Sequence, residues 1–493
     1  MMRRISTRTR GALAALTVAS LLAAGCGQKP GVAEMSAGAG VAGPGGIEQG
    51  TFEDGGVGAE GGSLDAAADA GAGGGAALGG GGGGAATGGA SSGGPAGGSG
   101  GSGGSGGEGA TTTDGGGAAP QGGGDTTGVT DTTIKIGVHA PVTGAAAFPQ
   151  QSFERGIGVY ADYINRKGGI HGRKIQILFR DDRFDPNSAR TVCKELAEQE
   201  KVFMLIGGGG ADQIDACARY AAGIGVPYLS AGVHETRPGL GGLGSVPTYF
   251  AASLTYEQQI PLLARIVSSQ LKGQKVAVVV ADNDSLNNFY AIADSSIKKV
   301  AGSNLVLSRR IPKKTDVDAP SIATQICNSG AKAVVWNASP SGLINVSKSM
   351  TCQVTFVGPG LTNGLNIVAT GGCPTIDGAL FYSPFPQLDK IDQMDPNFRP
   401  AYRQKNGGGD PDDLAIAVWG LEKLVGSMLQ SSGKSLSREG FMGTLAKVKT
   451  FKTGVYPATN FSSRFGGTAM HLLQADCSGG QGRFRTVRVN ERP

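Results

Sequence analysis

From Thr133 onward, short runs of consecutive apolar and β-branched residues alternate with longer stretches in which apolar side chains recur every three or four positions. The first run, Thr133 to Ala140, leads through a glycine-bearing loop into an amphipathic stretch, Gln151 to Lys167. This is the pattern of strand, loop and helix. The unit repeats as strand Lys174 to Phe179, helix Asn187 to Glu200, strand Phe203 to Gly207, helix Ala211 to Gly223 and strand Val226 to Ser230. A second series begins at Gln274 with a strand and continues as helix Asn287 to Val300, strand Leu305 to Arg309, helix Ala319 to Ser329, strand Ala333 to Trp336, helix Ser341 to Ser349 and strand Thr355 to Gly358. Strands and helices alternating at these lengths pair in parallel through right-handed crossovers. The predicted class is α/β, with two doubly wound parallel-sheet lobes. Such sheets bind ligands beyond the carboxyl ends of their strands, so two that face each other enclose a cleft.

The first 130 residues have a different pattern. Met1 to Arg10 carries Arg3, Arg4, Arg8 and Arg10 with no acid, and the apolar run Gly11 to Ala24 ends in Leu-Leu-Ala-Ala-Gly-Cys at Leu21 to Cys26. At about 14 residues the run is short of the ~20 that cross a bilayer. It reads as a signal peptide (residues 1–25) with a lipobox, leaving Cys26 as the lipidated first residue of the mature chain. From Gly27 to about Gly128 the composition collapses to Gly, Ala, Ser and Thr with scattered acids. A segment so poor in large apolar side chains cannot offset its ordering entropy, so residues 26–130 are expected to form a disordered tether. Its root-mean-square span is on the order of 55 Å.

The formal charge of +5 is mild and no dense basic block follows residue 10, so nucleic-acid binding has no electrostatic support. Beyond Cys26 there are Cys193, Cys217, Cys327, Cys352, Cys373 and Cys477, an even number in a chain addressed to an oxidising compartment. In a doubly wound sheet the helices after the second and third strands lie side by side, which pairs Cys193 with Cys217 and, in the second lobe, Cys327 with Cys352. Cys373 and Cys477 then form the third disulfide. No Cys-x-x-Cys is present, and His139, His171, His234 and His471 show no ligand spacing, so neither a metal nor a cofactor is expected.

The motifs Ile134 to Gly144, Asn165 to Ile177, the Asp-Asp-x-x-Asp-Pro pattern at Asp181 to Pro186, Leu205 to Gln213, Val226 to Gly232, Val357 to Gly360 and Gly378 to Phe385 occur in an order and spacing that resemble the type I periplasmic solute-binding proteins, specifically the Leu/Ile/Val-binding family that serves ABC importers. The resemblance covers about Thr132 to the end. It implies a Venus-flytrap architecture with three crossings, placing 131–252 and 381–455 in the first lobe and 253–380 and 456–493 in the second. It also implies a small-molecule ligand, ABC permease partners and a monomer. The ligand positions it carries over are altered. Where the family uses a Ser hydroxyl and backbone amides at a helix start, this chain has Ala211, preceded by Gly210 and followed by Asp212. The Thr of the next loop is His234, with Gly232 before it. Two family Tyr positions fall on Leu286 and Ser339, and the Glu that neutralises the ligand ammonium falls on Gly360.

Losing that carboxylate disfavours a free α-amino acid, because a buried ammonium without a counter-charge is costly. The expected solute is small and polar, such as an amide, a urea-like compound or an organic acid. His234, Asn337, Ser339, Thr362 and Asn363 would supply contacts, Phe148 would stack on the solute, and Asp284 or Glu235 could replace the missing acid. The glycine run Gly207 to Gly210 lacks the acidic partner of a dinucleotide site, and Ser432-Gly-Lys-Ser lacks the leading Gly of a P-loop. No nucleophile elbow is present and no Cys has a plausible base, so an enzyme is not expected. The reading is a lipid-anchored extracytoplasmic solute-binding protein for an ABC importer; the alternative is a sensory or adhesive surface lipoprotein on the same fold.

Overall fold

The computed structural model describes residues 123–144, 146–230, 242–313, 318–448 and 450–493. The leader, Cys26, the glycine-rich tract and the positions Gly232, His234 and Glu235 lie outside the described residues.

The first sheet contains β1 (Thr133–Ala140), β2 (Lys174–Asp181), β3 (Met204–Gly207), β4 (Tyr228–Ser230) and β5 (Tyr249–Ala251) in the order β2-β1-β3-β4-β5, every pairing parallel. Between these strands run α1 (Gln150–Gly156), α2 (Val159–Arg166), α3 (Pro186–Lys194) and α4 (Ala211–Gly223). The single helix expected over Gln151 to Lys167 is instead two. Gly158 takes φ 73° as the cap of α2, a left-handed turn that a helix cannot pass through. The helix expected over Asn187 to Glu200 likewise ends early as an α-helix and continues as a π-helical turn, Glu195–Gln199.

The second lobe includes α5 (Tyr256–Ser269), whose start is fixed by a reciprocal capping box between Thr255 and Gln258 and whose apolar face packs with β6 and α6. It holds β6 (Val276–Ala281), α6 (Asn287–Ala301), β7 (Leu305–Ile311), α7 (Ala319–Asn328), β8 (Ala333–Asn337), α8 (Pro340–Lys348), β9 (Thr355–Pro359), α9 (Asn366–Gly372) and β10 (Leu380–Ser383). The chain then forms α10 (Ile391–Met394), α11 (Phe398–Lys405), α12 (Asp413–Ser431) and α13 (Arg438–Lys447) before β11 (Met470–Asp476) and β12 (Arg483–Glu491). The second sheet has the order β12-β11-β10-β9-β8-β6-β7. It is mixed rather than purely parallel, because β11 pairs antiparallel with β10 and with β12.

Helix α12 runs back to the first lobe and packs on α1 and α2, with Trp419 edge-on to Tyr160 and Tyr163. One apolar cluster therefore joins the β1 and β3 side chains to Leu414, Ile416, Leu424 and Met428 of α12. Three disulfides fasten the periphery: Cys193 to Cys217 across α3 and α4, Cys327 to Cys352 across the ends of α7 and α8, and Cys373 to Cys477, which holds the end of α9 against the turn after β11.

Candidate functional site

The carboxyl end of β1 is held in place by the acidic motif that follows β2. Asp181 accepts from the amides of Val142 and Thr143, and Asp182 faces His139 with Oδ2 2.8 Å from Nδ1. Both carboxylates also accept from the next turn, Asp181 from Arg183 N and Asp182 from Phe184 N. These bonds support two consecutive left-handed residues, with φ 56° and 53°. Asp185 then caps α3 by accepting from Ser188 N at 2.7 Å, with Pro186 at the first helical position. The other ring nitrogen of His139, Nε2, lies 2.8 Å from Tyr228 Oη. Burial holds the Tyr228 phenol protonated far above its ordinary range. The phenol therefore keeps its proton in the contact with Nε2. His139 also lies near Cys193 and Cys217, but those sulfurs are bonded to each other and offer no thiolate to a metal.

Above this triad is a cavity with about 670 Å³ of atom-free space, its open mouth included. Its floor is the end of β1 and β3, at Val138, His139, Gly207 and Gly208. One wall is α1 and the loop before it, with Phe148, Phe153 and Ile157; the opposite wall is α12, with Leu414, Ala417, Val418 and Leu421. The second lobe closes it from above through Leu361, Thr362 and Leu365, which follow β9. Phe385 and Tyr456, from the segments that cross between lobes, complete it.

Among the described residues three lining groups are ionisable, His139, Glu422 and Tyr456, the last with its phenol pKa raised by burial. His139 uses both ring nitrogens as described. Glu422 accepts from the amides of Gly158 at 2.6 Å, Tyr160 at 3.1 Å and Ala161 at 3.3 Å, capping the start of α2 from α12. Burial nevertheless raises its pKa to about 7, against the opposing pull of those amides and of Lys405. A second buried acid, Asp413 at the start of α12, reaches the other lobe by accepting from Asn366 N, the first amide of α9, at 2.7 Å. Burial, reinforced by neighbouring Asp412, raises it to about 7 despite bonds from Asn366 N and Gln387.

At the other end of the cleft the lobes touch directly. Asp212, in the first turn of α4, lies 2.9 Å from Lys313 Nζ beyond β7, and accepts from Asn283 Nδ2 at 3.3 Å and Ser285 Oγ at 3.1 Å, both beyond β6.

Phe148 and Thr362 line the cavity, with Phe148 stacked near Phe153 at a ring separation of 6.4 Å. Gly210 is the cap of α4, and Ala211 its first residue. Leu286 is buried in the core beneath α6, and Ser339 is occupied as the cap of α8, accepting from Gly342 N at 3.1 Å. Gly360 donates to Tyr382 O at 2.7 Å, and a Cβ there would stand 2.5 Å from that of Phe381. Asp284 is exposed and accepts from Asn287 Nδ2 at 3.4 Å. His171 bonds at the surface to Gln430 O, and His471 is buried against Val455 O with its pKa lowered to about 4 by burial. Asn337 and Asn363 are buried at the ends of β8 and β9. Asn363 donates to Ala338 O, while its Oδ1 and Asn337 Nδ2 lack partners. The cavity wall of α12 was not anticipated, because its apolar side chains carry the same helical period as any core-facing helix.

Residues 133–481 match a family model described as periplasmic binding protein. A Leu/Ile/Val-binding protein homolog 7 from Brucella abortus is 30% identical over 213 residues, 42% of this chain and 53% of that protein. The chain thus spans about half the length of the curated relatives it matches. Two solved structures share the fold. A branched-chain amino acid transporter substrate binding protein from Streptococcus pneumoniae, in complex with isoleucine, has a TM-score of 0.59 at 20% identity, covering 72% of this chain and all of that one (100%). A solute binding protein of an ABC transporter from Rhodopseudomonas palustris BisB5, in complex with 3,4-dihydroxy benzoic acid, has a TM-score of 0.59 at 17% identity, covering 73% of this chain and 99% of that one. Among the described residues no helix is long and apolar enough to cross a membrane. The chain belongs to the type I periplasmic binding protein family that includes the Leu/Ile/Val-binding proteins, a family of solute-binding proteins and not of enzymes.

Proposed function

We propose that this protein captures a small solute outside the cytoplasm and hands it to an ABC importer, held to the membrane by lipid on Cys26. The observation that carries this reading is the cavity itself, which takes its floor from the strand ends of one lobe and its cover from the Leu361 to Leu365 segment of the other. A solute bound there contacts both lobes and favours the closed arrangement over the open one by its differential affinity. The lobes comprise residues 131–252 with 384–455, and 253–383 with 456–493, the boundary expected at 380/381 moving to the end of β10 because that strand pairs within the second sheet, and the protein acts as a monomer. The solute contacts proposed are Phe148 and Thr362, which line the cavity, with Gly232 and His234 after β4 in sequence; Gly210 to Asp212, Leu286, Asn337, Ser339 and Gly360 are not among the residues that line it. Relatives that carry isoleucine or a dihydroxybenzoic acid set the range of solutes to try.

The test is a thermal-shift screen of the full chain against amino acids, amides, urea analogues, organic acids and sugars. A ligand present at 100 times its dissociation constant adds about 2.7 kcal/mol to stability and raises the melting temperature by several degrees. Silence across the panel would favour a surface lipoprotein that signals or adheres without binding a solute. For the anchor, labelled fatty acid is expected to enter the wild-type chain and not Cys26→Ala; equal labelling of both would refute it.

A further inference from the structure

On the reading that this cavity is the solute site, we infer that the solute has a compact apolar body, an aromatic ring or a branched hydrocarbon chain, and carries no ammonium group. Four observations support it. The walls of the cavity are aliphatic and aromatic side chains from α1, α12 and the Leu361 to Leu365 segment, so the space rewards burial of hydrocarbon. The lining carboxylate, Glu422, spends its acceptor capacity on three amides of α2 and sits where burial favours its neutral form. Asp212, the acid at the other end of the cleft, is matched by Lys313, Asn283 and Ser285. Finally, the backbone of Gly360 is packed too tightly against Phe381 and Tyr382 O for any side chain, so that position cannot hold an acid without local rearrangement.

Among the described residues, an ammonium entering the cavity therefore meets no free carboxylate, while its hydration is lost. A small polar solute of the urea type fares poorly for a related reason, since the apolar walls leave its hydrogen-bonding groups without partners. The polar end of the solute is an amide placed toward Thr362 at the second lobe, or a carboxylate that stays hydrated at the open mouth, because the lining, among the described residues, offers no cation to pair with it.

Calorimetric titration of the full chain with matched probes tests this: phenylacetate, phenylacetamide and L-phenylalanine; isovalerate and L-leucine; and acetamide and urea as heads without a body. The expected result is that at least one probe lacking the amine binds at least tenfold tighter than its amino-acid counterpart, with acetamide and urea weaker still. Preference between phenylacetate and phenylacetamide decides the head. Equal or tighter binding of the amino acids overturns the inference while leaving the solute-binding reading intact, as does binding of urea or acetamide alone. Silence across all probes and across the wider thermal-shift panel overturns both. Val418→Phe, which fills the cavity from α12, is expected to weaken the best probe more than tenfold; should it misfold, Leu361→Ala, from a loop, is expected to weaken the smaller isovalerate more than phenylacetate. Unchanged affinities in both variants would place the solute elsewhere and overturn the inference.

Discussion

The two ends of the cleft are built on opposite principles. At the α12 end, hydrocarbon walls surround a cavity and every charged group along it is paired with protein, leaving the space for something apolar. At the α4 end, Asp212 meets Lys313, Asn283 and Ser285 from the other lobe, so the protein's own polar groups bring the lobes together. The difference separates two contributions to closure. The polar end supplies a partly exposed, salt-sensitive latch whose strength does not depend on the solute. Selectivity then rests with the apolar end, where shape and burial decide.

Substitutions at the apolar end should have the largest effects. Phe385 is fully buried and forms part of the cavity wall, so Phe385→Ala should destabilise by about 3–5 kcal/mol and shift the urea midpoint accordingly; a loss below about 1 kcal/mol would mean the wall is not packed as described. Glu422→Leu leaves three α2 amides without their acceptor, and a cost of about 2–3 kcal/mol is expected from the same measurement. Glu422→Gln, which keeps an acceptor, should cost less.

The buried acids also set a pH dependence. The pKa values of Glu422 and Asp413 in the folded chain are about 7, above those of an unfolded Glu or Asp, so between about pH 4 and 7 the folded state holds more protons. Their contribution is fully present below the unfolded values and is lost as pH rises through 7, with a slope of at most about 1.4 kcal/mol per pH unit for each group. Denaturation across this range should show the decline, and Glu422→Gln should flatten part of it; an unchanged slope would contradict the assignment to Glu422. The smallest effect belongs to the polar end. Lys313→Ala should change stability by less than about 1 kcal/mol and weaken solute binding by a few-fold at low salt, a difference that should shrink at 1 M salt. A large, salt-independent loss would show that the latch also contacts the solute.

The lobes were legible in the sequence because buried strands announce themselves as continuous apolar runs, as at Val276–Ala281, and because Gly, Asp and Pro punctuate the turns between elements. The Asp181 to Pro186 motif was legible as a pattern, although its three carboxylates take three different tasks that only packing reveals. The break at Gly158 was missed because apolar positions continue in helical register on both sides of it. The antiparallel strands β11 and β12 were missed because they follow a long helical segment and have no crossover partner. The cavity was the least legible feature. Leu414, Leu421, Leu361 and Phe385 are distant in sequence, and an apolar residue beside a void has the same local pattern as one in a filled core. Gly360 pointed to a lost counter-charge in the sequence; its tight packing against Phe381 and Tyr382 became visible only in three dimensions.

The central claim is that one solute is gripped by both lobes at the α12 end. Amide hydrogen exchange of the full chain, with and without saturating phenylacetate, tests this most directly. The account predicts slower exchange in the first lobe around Gly207 and in α1 and α12, together with slower exchange in the second lobe from Leu361 to Leu365. Protection limited to one lobe, or no change in either, would contradict it.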